Sequence, residues 1–211
     1  MDGKNKMNEN NSGKKFDIKK IFCILKCNSF TYCDLVKCLK YKYEVVTDPY
    51  FKADSYKNYF SRKNKKIKHQ KYEQSKNGLY VHHVAENMFQ DLCKEKAIAD
   101  NPCLSCLPDH GFRYQMPDQL VYCNLVEHAL LHLFIMINNP NYYKGYESLN
   151  GKIKKWYIDD IDENKLKPNE RCFYNASKIS KEEAQTLEEE FCEFINRKEQ
   201  NKTVCHCNYP K

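Results

Sequence analysis

Four of the seven histidines fall into two pairs whose spacing suits metal chemistry. His82 and His83 are adjacent, whereas His128 and His132 are four residues apart. Residues four apart on a helix project from the same face, so the second pair can ligate one divalent cation. Adjacent residues on a strand point to opposite faces, so one member of the first pair can join the cation while the other acts as a base. A neutral imidazole suits the second task because its unperturbed pKa is about 6.5.

The sequence around the first histidine pair predicts a strand. Asn77–Gly78 indicates a turn, and residues 79–84 (LYVHHV) form the strand predicted after it, with the pair near its end. We expect a helix over residues 85–100. Residues 101–118 hold three prolines and a glycine and predict a loop.

The second histidine pair follows a shorter strand, which is predicted for residues 119–123. Asn124 and Glu127 then have the spacing of a capping box, in which two side chains satisfy free backbone amides at the start of a helix. The helix that begins there carries the pair and is expected to end near Asn139–Pro140.

The order of these elements resembles a known family. A strand ending in His-His, a loop, a short strand and a capped helix with His-x-x-x-His are similar to the HNH, or His-Me finger (ββα-metal), endonucleases, in particular the colicin-DNase type and the free-standing HNH endonucleases. Residues 119–128 (QLVYCNLVEH) are similar to the family's Asn-Leu-Val-…-Glu-His run. The resemblance implies that His83 is the general base and that Gln119 replaces the family's central Asn, and it covers residues 78–138. The metal ligands that it implies are His82, His128 and His132.

The resemblance implies metal-dependent hydrolysis of phosphodiester bonds, in DNA rather than RNA. Mg²⁺ or Mn²⁺ is the expected cation, with Zn²⁺ and Ni²⁺ as alternatives, and it would stabilise the charge on the scissile phosphate and the leaving oxygen. Enzymes of this kind are found in mobile elements, in restriction and phage-defence systems and among toxins. The resemblance does not choose among these roles.

The charge distribution favours a polyanionic partner. The net charge is +7, and residues 1–75 carry 18 Lys and Arg against 8 Asp and Glu, whereas residues 76–140 carry 4 against 7. Residues 55–72 hold seven basic residues, no acidic residue and interleaved aromatics, as in segments that bind nucleic acid. A solvated surface loop is an equally weighted alternative. The candidate nucleic-acid contacts are Lys57, Arg62, Lys63, Lys65, Lys66, Lys68 and Lys71.

The 211 residues predict an α+β fold that is mostly helical, with a small ββα-metal finger at its core. Two helices are expected within residues 16–43, and they favour a place in the hydrophobic core over a DNA-binding hairpin. Another helix is expected over residues 181–198. The expected segments are a disordered start (1–15), a basic helical region and candidate nucleic-acid-binding arm (16–75), the nuclease core (76–140) and a helical C-terminal region (141–211).

The twelve cysteines indicate reduced thiols, because no export signal accompanies them. No apolar stretch reaches the length of a membrane span, so we expect a cytoplasmic protein without a membrane partner. Cys103-x-x-Cys106 has the spacing of half a structural zinc site. A second pair with that spacing is absent from the sequence, which favours free thiols.

Two other classes of function stay open. One is a non-catalytic nucleic-acid-binding protein that keeps the finger as a scaffold, which Gln119 favours. The other is a zinc-stabilised interaction module built on Cys103 and Cys106. Glu86 either orients a ligand or lies on the surface, and the surface is the favoured interpretation. The sequence leaves the oligomeric state open, with a homodimer as one alternative.

Overall fold

The protein has a mostly helical α+β fold with one small antiparallel sheet. A computed structural model describes residues 16–159 and 161–206, with the backbone alone for 201–206. The expected disordered segment 1–15 lies outside these residues. The described α-helices are α1 (Ile18–Lys26), α2 (Tyr32–Lys42), α3 (Ala53–Phe60), α4 (Glu95–Asp100), α5 (Pro102–Ser105), α6 (Leu125–Asn138), α7 (Tyr143–Ile153), α8 (Pro168–Ala176) and α9 (Lys181–His206).

The two predicted strands are confirmed as β1 (Tyr80–His83) and β2 (Leu120–Cys123), which pair antiparallel. The register places His83 opposite Leu120. The predicted helix after β2 is confirmed as α6. It begins at a capping box, in which Asn124 Oδ1 accepts from the Glu127 amide at 2.9 Å and Glu127 Oε2 accepts from the Asn124 amide at 3.0 Å. Two strands and a helix thus form one ββα unit.

The predicted helix over residues 85–100 is wrong for most of its length. Val84–Asn87 forms a short 3₁₀ turn, and regular helix starts only at α4. Asp91 between them has a φ of +60°, in the left-handed region, which interrupts any right-handed helix. Leu92 beside it is fully buried, so packing holds the chain in this bend.

Three clusters of buried side chains form the interior of the described part of the chain, the smallest of them being Val46, Leu79, Leu120 and Tyr122. The main core joins α1, α2, α6 and α9, which confirms that the two N-terminal helices pack into the core. A second, aromatic-rich cluster joins residues 50–67 to residues 85–114. Its fully or nearly fully buried members are Phe51, Tyr56, Ile67, Ala85, Leu92, Ile98 and Leu104.

The C-terminal helix is confirmed from its predicted start at Lys181, and it runs further than predicted, to His206. It packs on α1 and on α6, the helix that carries the second histidine pair. Among the described helices, none combines the length and the apolar character that crossing a membrane requires.

Candidate metal centre

The structure brings the three predicted metal ligands together. His82 comes from β1, and His128 and His132 come from consecutive turns of α6, which packs on that strand. One ring nitrogen from each histidine lies within 4.8 Å of the other two. The ring centroids are 4.9–5.2 Å apart. We call these three residues the histidine cluster.

Tyr32 of α2 determines which nitrogen His82 presents to the cluster. The Tyr32 hydroxyl donates its one proton to the carbonyl oxygen of Val84 at 3.0 Å. The hydroxyl also lies 2.9 Å from Nε2 of His82, and with its proton on the carbonyl it accepts there from the ring N–H. This tautomer leaves Nδ1 of His82 unprotonated, and that atom is buried with no hydrogen bond to any described residue.

Gln115 plays the same part for His83, on the opposite face of β1. Its amide nitrogen donates to the carbonyl oxygen of Leu92 at 3.2 Å, which orients its amide oxygen toward His83. That oxygen lies 2.8 Å from Nε2 of His83 and accepts its proton, so Nδ1 of His83 is unprotonated as well. The ring is buried and packs on Tyr50 with centroids 4.4 Å apart.

Glu86 links the histidine cluster to His83. It lies on the 3₁₀ turn after β1 and is only 8% exposed, so the expectation of a surface carboxylate is wrong. Its Oε2 is 3.5 Å from Nδ1 of His82 and 3.4 Å from Nε2 of His132. Its other oxygen, Oε1, is 3.8 Å from Nδ1 of His83. One carboxylate therefore faces the cluster and the candidate base together.

Burial dominates the protonation of this site. Burial, and then the neighbouring histidines, hold the pKa of His82 well below 6.5, and the pKa of His128 is lowered in the same way. Burial lowers the pKa of both His83 and His132 to about 4. Burial raises the pKa of Glu86 to about 8, with a further contribution from Asp91. All four imidazoles are thus neutral at neutral pH, as ligands and bases must be.

The residues of the cluster fit a divalent cation. Three neutral imidazoles are a common ligand set for transition metals, and the carboxyl group of Glu86 lies within 3.5 Å of two of them. Nδ1 of His82 and Nδ1 of His128 are buried without a hydrogen-bond partner among the described residues. Buried polar atoms normally have partners, and a bound cation would supply one for these nitrogens.

Helix α7 closes the cluster from the other side because of a glycine. A Cβ built on Gly145 would lie 2.8 Å from Cε1 of His132 and closer still to its Nδ1. Only a residue without a side chain lets α7 approach the imidazole so closely. Nε2 of His132 then faces Glu86 and the cluster.

The cluster opens onto a cavity of about 370 Å³ that can admit a substrate. Both His83 and the histidine cluster line it, together with Tyr50 and Glu86. The exposed Lys144 lies at its rim, as does Lys94, which pairs with Asp91 at 2.9 Å. The site therefore has neutral bases inside and cationic groups at its mouth.

Two predicted site features are placed elsewhere. Gln119 hydrogen-bonds to the neighbouring Asp118 side chain at 2.8 Å, and the amide that contacts His83 is Gln115 instead. Cys103 and Cys106 are both exposed, and the described residues add no third histidine, cysteine or carboxylate to make a metal site with them. The alternative of a structural zinc site thus lacks two of its four ligands there.

All seven predicted nucleic-acid contacts are exposed, from Lys57 on α3 to Lys71. The C-terminal end of this basic segment lies beside the site. There, the Gln70 amide donates to the carbonyl of Tyr50 at 2.9 Å. The Tyr50 amide in turn donates to the carbonyl of Gln115, the residue that orients His83. The basic segment is thus joined to the base side of the cavity.

Sequence reasoning missed Tyr32 and Gln115 and undervalued Glu86. Tyr32 stands 50 residues before His82, and Gln115 stands 32 residues after His83, so no local spacing marks either contact. Glu86 had a local signal, because it follows His82 by four residues.

Comparisons with known proteins give no relative from which a function could be transferred. No family model, no curated protein and no solved structure matches the chain.

Proposed function

We propose that this protein is a metal-dependent endonuclease of the HNH type, which hydrolyses phosphodiester bonds in DNA. The observation that supports it best is the joint placement of two groups in one cavity. These are a three-histidine cluster suited to a cation and a fourth histidine, His83, with an unprotonated nitrogen. Hydrolysis of a phosphodiester needs a base for water and positive charge at the phosphate.

His83 is the proposed general base. Its pKa of about 4 keeps the ring in the neutral form near pH 7, and its Nδ1 is free to take a proton from water. Gln115 keeps accepting from Nε2 before and after that transfer, so the ring stays in place. Glu86 Oε1, 3.8 Å from Nδ1, would stabilise the imidazolium that forms when the carboxyl group is ionised.

The histidine cluster is the proposed holder of the cation. When bound, the cation supplies charge stabilisation at the phosphate and at the leaving oxygen. Lys144 at the rim of the cavity is placed to contact a phosphate oxygen of the substrate. The exposed basic segment would bind neighbouring phosphates without regard to sequence.

Plasmid cleavage tests this function. The full chain is incubated with supercoiled DNA and Mg²⁺, Mn²⁺, Ni²⁺ or Zn²⁺, alongside His83→Ala and the control His69→Gln. His69 is exposed and lies outside the cavity. We expect metal-dependent cleavage by the parent and by His69→Gln, and a loss of at least about 100-fold for His83→Ala, in line with the usual contribution of a general base.

The same variants separate the base from the metal site. His83→Ala should still bind the cation, because the cluster does not include His83. A parent that cleaves neither DNA nor RNA with any of the four cations, or a His83→Ala variant as active as the parent, would overturn the proposal.

A further inference from the structure

We propose that Glu86 is a direct ligand of the cation, so that the site holds a tetrahedral transition-metal ion with three imidazoles and one carboxylate. The inference rests on the metal site of the proposed function and extends its ligand set. A tetrahedral ion, such as Zn²⁺ or Co²⁺, is then expected rather than Mg²⁺.

The distances around Glu86 support a tetrahedral arrangement. Its Oε2 lies 3.4 Å from Nε2 of His132 and 3.5 Å from Nδ1 of His82. Two ligands of a tetrahedral ion with bonds of about 2.0–2.1 Å are about 3.3–3.4 Å apart. Adjacent ligands of an octahedral Mg²⁺ with similar bonds are only about 2.9 Å apart. The two separations of Glu86 are close to the tetrahedral edge. The three histidine nitrogens lie within 4.8 Å of one another, so the site would contract around a bound ion.

The burial of Glu86 favours a cation as the partner of its ionised form. A carboxylate that is 8% exposed is costly unless it is paired or bound to a metal. The ion pairs of Glu86 within the described part of the chain are with histidines only, at 3.4–3.8 Å. The nearby Lys94 pairs with Asp91 instead, at 2.9 Å. The groups that face Glu86 most closely are thus metal ligands themselves.

A carboxylate ligand is compatible with catalysis at this site. Most catalytic zinc sites keep one position open for water or substrate, and some expand from four to five ligands in the transition state. The cavity of about 370 Å³ lies on the open side of the cluster and leaves room for that oxygen. Because Oε1 of Glu86 faces His83, the same side chain that holds the ion also faces the proposed base.

Cobalt binding to the full chain tests the assignment. The parent, Glu86→Gln and the control Asp91→Asn are titrated with Co²⁺, and affinity is measured by competition with a chromophoric chelator. Asp91 is a carboxylate of the same cavity, but it pairs with Lys94. We expect the parent and Asp91→Asn to give the intense visible absorption of four-coordinate Co²⁺. Glu86→Gln should bind at least 10-fold more weakly and with an altered spectrum.

Other results would overturn the assignment. These are a parent spectrum of the weak, six-coordinate type, no Co²⁺ binding by the parent, or a Glu86→Gln variant with the affinity and spectrum of the parent. Glu86→Asp keeps the charge but shortens the side chain, and it should also lose affinity if Oε2 is a ligand; unchanged binding by it likewise counts against the assignment.

The outcome stays separate from that of the proposed function. A parent with a Glu86-dependent cobalt spectrum and no nuclease activity would overturn the function and leave the ligand set standing. A parent that cleaves DNA while Glu86→Gln binds Co²⁺ unchanged would overturn the ligand set alone.

Discussion

His82 and His83 are adjacent, face opposite sides of β1, and still offer the same ring nitrogen to the site. Tyr32 and Gln115 each donate a hydrogen bond to a backbone carbonyl. In this arrangement, the oxygen of each side chain accepts the Nε2 proton of its histidine. The two Nδ1 atoms are therefore both unprotonated and both face Glu86, at 3.5 and 3.8 Å. A ligand and a base are thus prepared by two residues that touch neither cation nor substrate.

Tyr32→Phe should weaken cation binding by about 10–100-fold, because residues that orient a metal-ligating histidine contribute on that scale. The variant removes the acceptor of the Nε2 proton, so the ring of His82 is free to rotate or to change tautomer. Zn²⁺ affinity, measured by chelator competition, checks this. Tyr56→Phe is the matched control, since Tyr56 is equally buried and donates to the His110 carbonyl at 2.7 Å, in the second cluster. Equal affinities for the two variants would contradict the role of Tyr32.

The ligand and base positions were predictable from sequence, and their supporting residues were not. Adjacent residues on a strand point to opposite faces, and residues four apart on a helix share a face. The spacing of the four histidines therefore predicts which rings come together. The partner of His83 depends on the path of the long insertion between the strands. The 3₁₀ turn Phe112–Gln115 places Gln115 inside, and the turn that follows places Gln119 beside Asp118, outside the site.

At the scale of elements, the close approach of α7 to α6 depends on Gly145, because its missing side chain leaves room for the ring of His132. Gly145→Ala places a methyl group against the imidazole of His132. We expect the variant to displace that ring, lower the free energy of unfolding by about 1–3 kcal/mol and weaken Zn²⁺ binding, because inserting a methyl group into a packed site forces its neighbours to shift. Thermal unfolding without metal and chelator competition measure the two effects.

Gly151 provides the control on the same helix. A Cβ there meets nothing within 4 Å, so Gly151→Ala should leave Zn²⁺ binding unchanged and stabilise α7 by up to about 1 kcal/mol through helix propensity alone. If Gly145→Ala binds Zn²⁺ as tightly as Gly151→Ala does, the close contact with His132 does not position the ring.

The elements with strong local sequence signals were predicted correctly. The structure of the long insertion between β1 and β2 was not. The capping box of Asn124 and Glu127 begins α6 where the sequence predicts, because both of its partners lie within one turn. The stretch 85–100 has helical composition, but its Ala85, Leu92 and Ile98 pack into a cluster whose other buried members come from residues 51–67 and from position 104. Tertiary packing of this kind overrides local propensity.

At the scale of the whole molecule, the second cluster carries the densest run of positive charge, residues 55–72. The basic segment runs along the surface of the second cluster, and its Ile67 is buried in it. Tyr50 joins the two parts, since its ring contacts His83 and its backbone bonds to both Gln70 and Gln115. A DNA strand that binds the basic segment would therefore be led toward the base side of the cavity.

Salt dependence of DNA binding tests this path. Neutralising Lys63, Lys65 and Lys66 with Gln should reduce the slope of log affinity against log salt by about 2 to 3, since each phosphate contact contributes about 0.7–0.9. The three side chains are exposed. The measurement is fluorescence anisotropy of a labelled duplex in the His83→Ala background, which prevents cleavage.

The control changes the net charge equally but at a distance. Lys19, Lys20 and Lys181 are also exposed, and they lie on α1 and α9 of the main core. Replacing these three by Gln should leave the slope nearly unchanged, because a slope reports ions released from contacted phosphates rather than the total charge of the protein. Equal reductions for the two triple variants would mean that the charge acts as a diffuse field, and that the basic segment is a solvated loop with no defined contact to DNA.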